Sequence, residues 1–112
     1  MFVVKNKTFF KWFTAKWVNG IALFPFVIVK HDHVKENKIL INHELIHIKQ
    51  QLELFILPFF IWYGFEYLYR LVQYRNSNRA YRNISFEREA YANESNLNYL
   101  KKRSIWSFLK YL

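Results

Sequence analysis

The chain contains no cysteine, which excludes disulfides, thiolate metal ligands and thiol nucleophiles. Its two glycines, Gly20 and Gly64, are too few and too far apart to build a phosphate-cradling loop. Acid is scarce as well. Asp32 and seven glutamates face seventeen lysines and arginines, for a formal charge of +9. No acidic residue precedes Asp32, whereas Lys5, Lys7, Lys11, Lys16 and Lys30 do. Any metal ion must therefore be held by His, Asp or Glu, from a short supply that includes only four histidines. There is no internal repeat, low-complexity run or interdomain linker, and 112 residues provide one domain, 1–112, with one modest core. A cleaved signal peptide is not expected. The apolar residues 17–29 are interrupted by Asn19, Gly20 and Pro25 and end in Lys30-His31-Asp32, not at a small-residue cleavage site.

Aromatic side chains, by contrast, make up 21% of the chain, while charged residues stay near ordinary usage at 22%. Basic charge combined with so many Phe, Trp and Tyr suits a membrane surface with anionic lipids. Basic residues interleaved with aromatics also serve nucleic-acid binding, but no recognition-module signature is present and nucleic acid is not an expected partner. The expected location is membrane-associated at the cytoplasmic face, where positive loops lie, with a soluble cytoplasmic protein as the alternative.

Along the chain, Phe2-Val3-Val4 reads as a short strand and residues 8–18 as a short helix or irregular segment. Asn19-Gly20 is a turn signal. The β-branched and aromatic residues 21–29 read as one strand, which Pro25 confines to a sheet edge; such an edge is able to pair with an extended peptide. Residues 38–54 have helical periodicity. The most hydrophobic stretch, 54–72, reads as a buried or membrane-interface helix, broken or kinked by Pro58 near Leu57. Glu66 and Arg70 make it a poor membrane span. Residues 75–83 read as a polar, basic loop. Ser85 is the expected N-cap of a helix running to about Arg103, with Lys101, Lys102 and Arg103 at its negative end. Residues 104–112 form an amphipathic tail. Helices dominate, so the fold class is α+β.

His43-Glu44-Leu45-Ile46-His47 is the stretch that carries chemistry. Residues four apart on a helix share a face, so His43 and His47 are placed to hold one metal ion, with Glu44 beside it to take a proton from water. A catalytic site of this kind uses three protein ligands and an open position. The third is expected from the helix after Ser85, where Glu87 and Glu89 are two apart and point in different directions, so only one of them is the ligand. His31-Asp32-His33 reads as a surface turn in preference to a second metal site.

These motifs resemble the gluzincin-type zincins, zinc metallopeptidases in which a Glu on a later helix, often in Glu-x-x-Ala-Asp, completes an H-E-x-x-H pair. The likeness covers roughly residues 21–93 in order of elements. Glu87-Arg88-Glu89-Ala90 matches best, which implies His43, His47 and Glu87 on Zn2+, Glu44 as general base, and Glu89 as the alternative ligand. Tyr91 stands where the family often has an acidic residue. The implied fold pairs an active-site helix and a later Glu-bearing helix with a short N-terminal sheet or edge strand. The implied function is hydrolysis of a peptide or protein substrate. A catalytically silent zincin-like or membrane-surface protein that binds a partner is the alternative. Tyr81, Tyr91, His31 and His33 are the available oxyanion donors.

Overall fold

Residues 21–29 fold back on themselves instead of forming one edge strand. In the computed structural model, which describes residues 2–6, 19–31 and 36–112, the segment is a hairpin of β2 (Gly20–Leu23) and β3 (Phe26–Val29). Phe24 and Pro25, joined by a cis peptide bond, make the turn. Proline therefore marks the reversal and not a sheet edge. β1 (Phe2–Lys5) pairs in parallel with β3, Val3 opposite Val27, and β2 pairs antiparallel with β3, Ala22 opposite Val27. The order is β1-β3-β2, so β2 is an edge strand among the described residues. The expectations for residues 8–18 and for Asp32 and His33 fall outside the described residues.

Helix α1 (Lys38–Glu53) begins where the Asn37 side chain accepts a hydrogen bond from Leu40 N. Its apolar residues Leu40, Ile41, Leu45 and Ile48 pack on Ala22, Val27 and Val29 of the sheet. Gln51 adds a polar tether, accepting from Phe24 N at 2.8 Å and donating to Ala22 O at 2.8 Å. Both bonds hold the hairpin to the helix. After α1 the chain breaks at residues 54–56, with Phe55 and Ile56 at positive φ, and the helical path bends by 113°.

Helix α2 (Leu57–Tyr74) carries Pro58 in its first turn, where the missing N–H has no intrahelical partner to lose. Pro58 thus begins a helix, while the break expected near Leu57 lies just upstream. Phe59 is the one buried residue of α2 and anchors a second apolar cluster with Ile84, Phe86 and Phe108. Among the described residues no single helix is long and apolar enough to cross a membrane.

The expected loop at 75–83 contains a helix, α3 (Ser77–Arg82), capped by the Asn76 side chain on Arg79 N. Ser and Asn are both turn residues and cap residues, and here capping prevails. Helix α4 (Ser85–Asn93) starts one residue earlier than expected, with Ile84 and not Ser85 at the N-cap, and Ser85 donates from N and Oγ to Glu66 of α2. It also stops ten residues short of Arg103. Asn42 Nδ2 of α1 donates to the carbonyls of Glu94 (2.8 Å) and Asn96 (3.0 Å), which satisfies acceptors at the helix end. A short helix α5 (Tyr99–Lys102) and a 3₁₀ turn (Ser107–Tyr111) close the chain, with Phe108 buried in the second cluster. The α+β, helix-dominated class holds.

Arg103 does not cap a helix end in solvent. Its guanidinium lies inside, bound to Glu53 Oε2 and Glu89 Oε2 at 2.5 Å each and to their second oxygens at 3.0 Å. Such forked charge-assisted pairs lock α1, α4 and the C-terminal segment together. Glu89 is fully buried, and although burial raises its pKa, the hydrogen bonds from Arg103, Tyr99 and Gln50 hold it below the ordinary value of 4.5. Arg103→Ala leaves that carboxylate unpaired and is expected to cost about 3–5 kcal/mol in urea unfolding. Lys101→Ala, at an exposed site, is expected to cost about 0.5 kcal/mol or less. Because folding lowers the Glu89 pKa, this stabilisation is complete above pH 4.5 and is lost as pH falls below it, which a urea midpoint series in acid will register.

Candidate metal centre

Helix α1 buries His43, Glu44 and His47 on the face that meets α4, and α4 turns Glu87 toward them. The spacing of four residues stacks the two imidazoles one turn apart, with ring centroids separated by 4.8 Å. Three atoms converge. His43 Nε2 and His47 Nε2 are 3.1 Å apart, and each is 3.0 Å from Glu87 Oε1. His43, His47 and Glu87 are at most 5% exposed.

Every other polar atom of these three side chains is held from behind. His43 Nδ1 donates to Glu94 Oε2 at 2.8 Å, and His47 Nδ1 donates to Gln50 Oε1 at 2.7 Å. Both bonds direct the Nε2 lone pairs into the cluster. Gln50 is itself oriented, since its Nε2 donates to Phe86 O and Glu89 Oε1. Tyr63 of α2 donates its hydroxyl to Glu87 Oε2 at 2.6 Å, leaving Oε1 to face the histidines. Outer partners of this kind fix the tautomer and orientation of metal ligands.

Without a cation, three electron-rich atoms at this spacing need a proton among them. Burial lowers the His47 pKa, but the neighbouring Glu87 charge outweighs it and raises the value to about 9. Burial pushes Glu87 up, and His47 with hydrogen bonds from both histidines brings it well below the carboxylate range. The donor set also fits a metal. Tetrahedral coordination at about 2.0–2.1 Å sets ligand atoms roughly 3.3 Å apart, a few tenths of an ångström wider than this triangle.

Glu44 lies beside the cluster and lines a cavity of about 180 Å³ with His43, Gly20, Tyr81, Tyr91 and Glu94. Burial raises its pKa, against the pull of His47 and His43. Tyr91 packs edge-on against the His43 ring at 4.5 Å, and its hydroxyl is 3.3 Å from that of Tyr81. Burial and the Glu87 charge keep the Tyr81 hydroxyl protonated far into alkali. Gly20 brings the strand close to α1: a Cβ here would lie 2.9 Å from Leu40 Cδ2, which would have to shift, and in ordinary contact, 3.6 Å, with Glu44 Oε1.

The structure thus brings together His43, Glu44, His47 and Glu87, and sends Glu89 to Arg103. Of the four oxyanion donors read from sequence, Tyr81 and Tyr91 reach the cavity wall; His31 is not in its described lining, and His33 is outside the described residues. Sequence reasoning missed Glu94 and Tyr63. Glu94 had a signal, since Glu87, Tyr91 and Glu94 recur at helical spacing, with the carboxylate one turn beyond the expected acidic position. Tyr63 had none beyond its place in an aromatic run. No protein-family model, curated protein or solved structure matches the chain.

In metal-free protein, the His47 side chain is expected to titrate near pH 9 by ¹⁵N NMR, and in Glu87→Gln to titrate lower, because burial is then opposed only by Glu44 and the Gln50 hydrogen bond. A raised histidine pKa stabilises the folded state fully below 6.5, so metal-free stability should decline as pH rises from 6.5 through 9.

Proposed function

We propose that the chain is a zinc-dependent peptidase in which His43, His47 and Glu87 hold the ion and Glu44 is the general base. The observation that carries this reading is the convergence of two imidazole nitrogens and one carboxylate oxygen, each backed by its own hydrogen-bond partner, beside a buried glutamate at a cavity. Two nitrogens and one oxygen suit zinc, whereas calcium and magnesium favour oxygen donors throughout. When bound, zinc supplies a Lewis acid that brings the pKa of a coordinated water to about 7 and polarises a carbonyl.

The protein's own groups do the rest. Glu44, with its proton affinity raised by burial, takes the proton of the attacking water and delivers it to the leaving amine. The Tyr81 and Tyr91 hydroxyls, both kept protonated by burial, serve as donors toward the developing oxyanion. The substrate is argued from β2. This edge strand begins at Gly20 against Glu44, so an extended peptide paired along it passes the base.

Purified wild-type protein is expected to contain about one zinc per chain by mass spectrometry, a three-ligand site holding one ion. His43→Ala and Glu87→Ala should lose it. Glu94→Ala, which only frees His43 Nδ1, should weaken zinc affinity by about 10–100-fold. Glu44→Gln should keep its zinc and lose about 10²–10⁴-fold in hydrolysis of a mixed peptide pool. A wild type that takes up no zinc when the metal is added back overturns the whole reading. Zinc binding without any chelator-sensitive cleavage leaves the metal site and removes the peptidase, in favour of a silent binding protein.

A further inference from the structure

Helix α2 is amphipathic in the reverse sense for a helix facing water. Leu57, Ile61, Phe65, Leu68 and Val72 recur at three- and four-residue spacing and so lie along one face. Their exposures are 67, 52, 70, 57 and 78%. The two charges of the helix are on the other side, where Glu66 accepts from Ser85 and Arg70 donates to Gln73. A solvated helix keeps its charges outside and its apolar stripe inside. The stripe runs from Leu57 to Val72, nearly the whole of an eighteen-residue helix, about 24 Å. A contiguous apolar surface of that length marks a site that something covers.

Charge identifies what covers it. Glu44, Glu87 and Glu89 are buried, and Glu53, Glu66 and Glu94 are hydrogen-bonded to Arg103, Ser85 and His43. The carboxylates of residues 38–112 thus point inward, whereas most of the basic side chains, Arg103 apart, remain outside. Arg75, Arg79 and Arg82 are exposed, and the Arg79 guanidinium sits 4.8 Å from the Tyr74 ring at the C-terminal end of α2. An apolar stripe ending in a cationic cluster matches an anionic lipid surface. A second copy matches poorly, because an antiparallel two-fold contact through the stripe would set the cationic end of one α2 against the first half of the other, residues 54–65, which contains no acidic residue.

We propose that this face of α2 docks in the interface of an anionic bilayer, with the helix axis along the membrane plane. Leu57, Ile61, Phe65, Leu68 and Val72 enter the acyl boundary, and Arg75 and Arg79 meet the headgroups. Tyr63 leaves α2 from nearly the opposite face to reach Glu87, so docking leaves the metal centre on the side away from the lipid. The proposal is independent of whether the centre hydrolyses peptides.

Co-sedimentation of the full chain with vesicles tests it, using phosphatidylcholine alone and phosphatidylcholine mixed with phosphatidylglycerol. The wild type is expected to bind the mixed vesicles at least about tenfold more tightly than the neutral ones, since each basic group near the surface adds to the attraction. Phe65→Gln combined with Val72→Gln should weaken binding at least about tenfold with an unchanged circular dichroism spectrum, since both sites are exposed. Leu68→Gln alone should act in the same direction and serves if the double variant does not fold. Arg75→Gln with Arg79→Gln should abolish the preference for phosphatidylglycerol. Wild type that stays in the supernatant with both vesicles overturns the proposal, as does binding that the Phe65 and Val72 changes leave intact. A wild-type dimer that those changes dissociate assigns the stripe to self-association and overturns it equally.

Discussion

Helix α1 turns six polar side chains, Asn42, His43, Glu44, His47, Gln50 and Gln51, into the interior of a chain too short to hide many unpaired groups. Burying a polar group without a partner costs about 1–3 kcal/mol, so an unmatched set of this size would cancel most of the stability of a small domain. The surrounding elements are arranged to prevent that. The hairpin turn meets Gln51, the end of α4 meets Asn42, Glu94 meets His43, and Phe86 with Glu89 meets Gln50. Helix α2 reaches the same layer through Tyr63. Apolar packing is divided between two clusters, one of α1 with the sheet and one around Phe59.

What could be read from sequence follows from the range of the forces involved. The spacing of His43, Glu44 and His47 is set by one helical turn, so their placement together was legible without tertiary information. Glu87 required only that a second helix cross the first. The choice between Glu87 and Glu89 is different in kind, because it depends on Arg103, a residue that sequence logic assigned to a helix terminus. Once Arg103 is drawn inside by Glu53 and Glu89, Glu89 is committed and Glu87 faces the histidines. The hairpin at Phe24 and Pro25 and the helix after Asn76 were misread for a local reason. Proline, asparagine and serine each support more than one backbone role, and the tertiary partner selects among them.

The division of charge is as consequential as the fold. A protein with a formal charge of +9 ordinarily scatters its few acids over the surface to temper self-repulsion. Here the glutamates of residues 38–112 serve the interior: two at Arg103, one at Ser85 and three around the histidines. The exposed charge that remains in residues 38–112 is mainly basic, and within α2 itself the one acidic residue, Glu66, is turned away from the apolar stripe to Ser85. The polar interior and the cationic, apolar exterior are thus two consequences of one allocation of carboxylates.

That allocation also bears on what the centre is suited to hold. Glu44, Glu87 and Glu94 surround two imidazoles within a few ångströms, in a site largely removed from water. Protonation of His47 balances one of the negative charges and ties up the nitrogen that faces the cluster. A divalent cation would take the place of that proton, accept both Nε2 lone pairs at once and balance a second carboxylate. The hydrogen bonds from the His43 and His47 Nδ1 atoms are already directed for that exchange, because they keep the two protons on the outer side of the rings. Competition between one proton and one cation for the same pair of nitrogens would make occupancy of the site by a metal pH-dependent. Held by these outer partners, the ligand atoms would need to spread by only a few tenths of an ångström in that exchange.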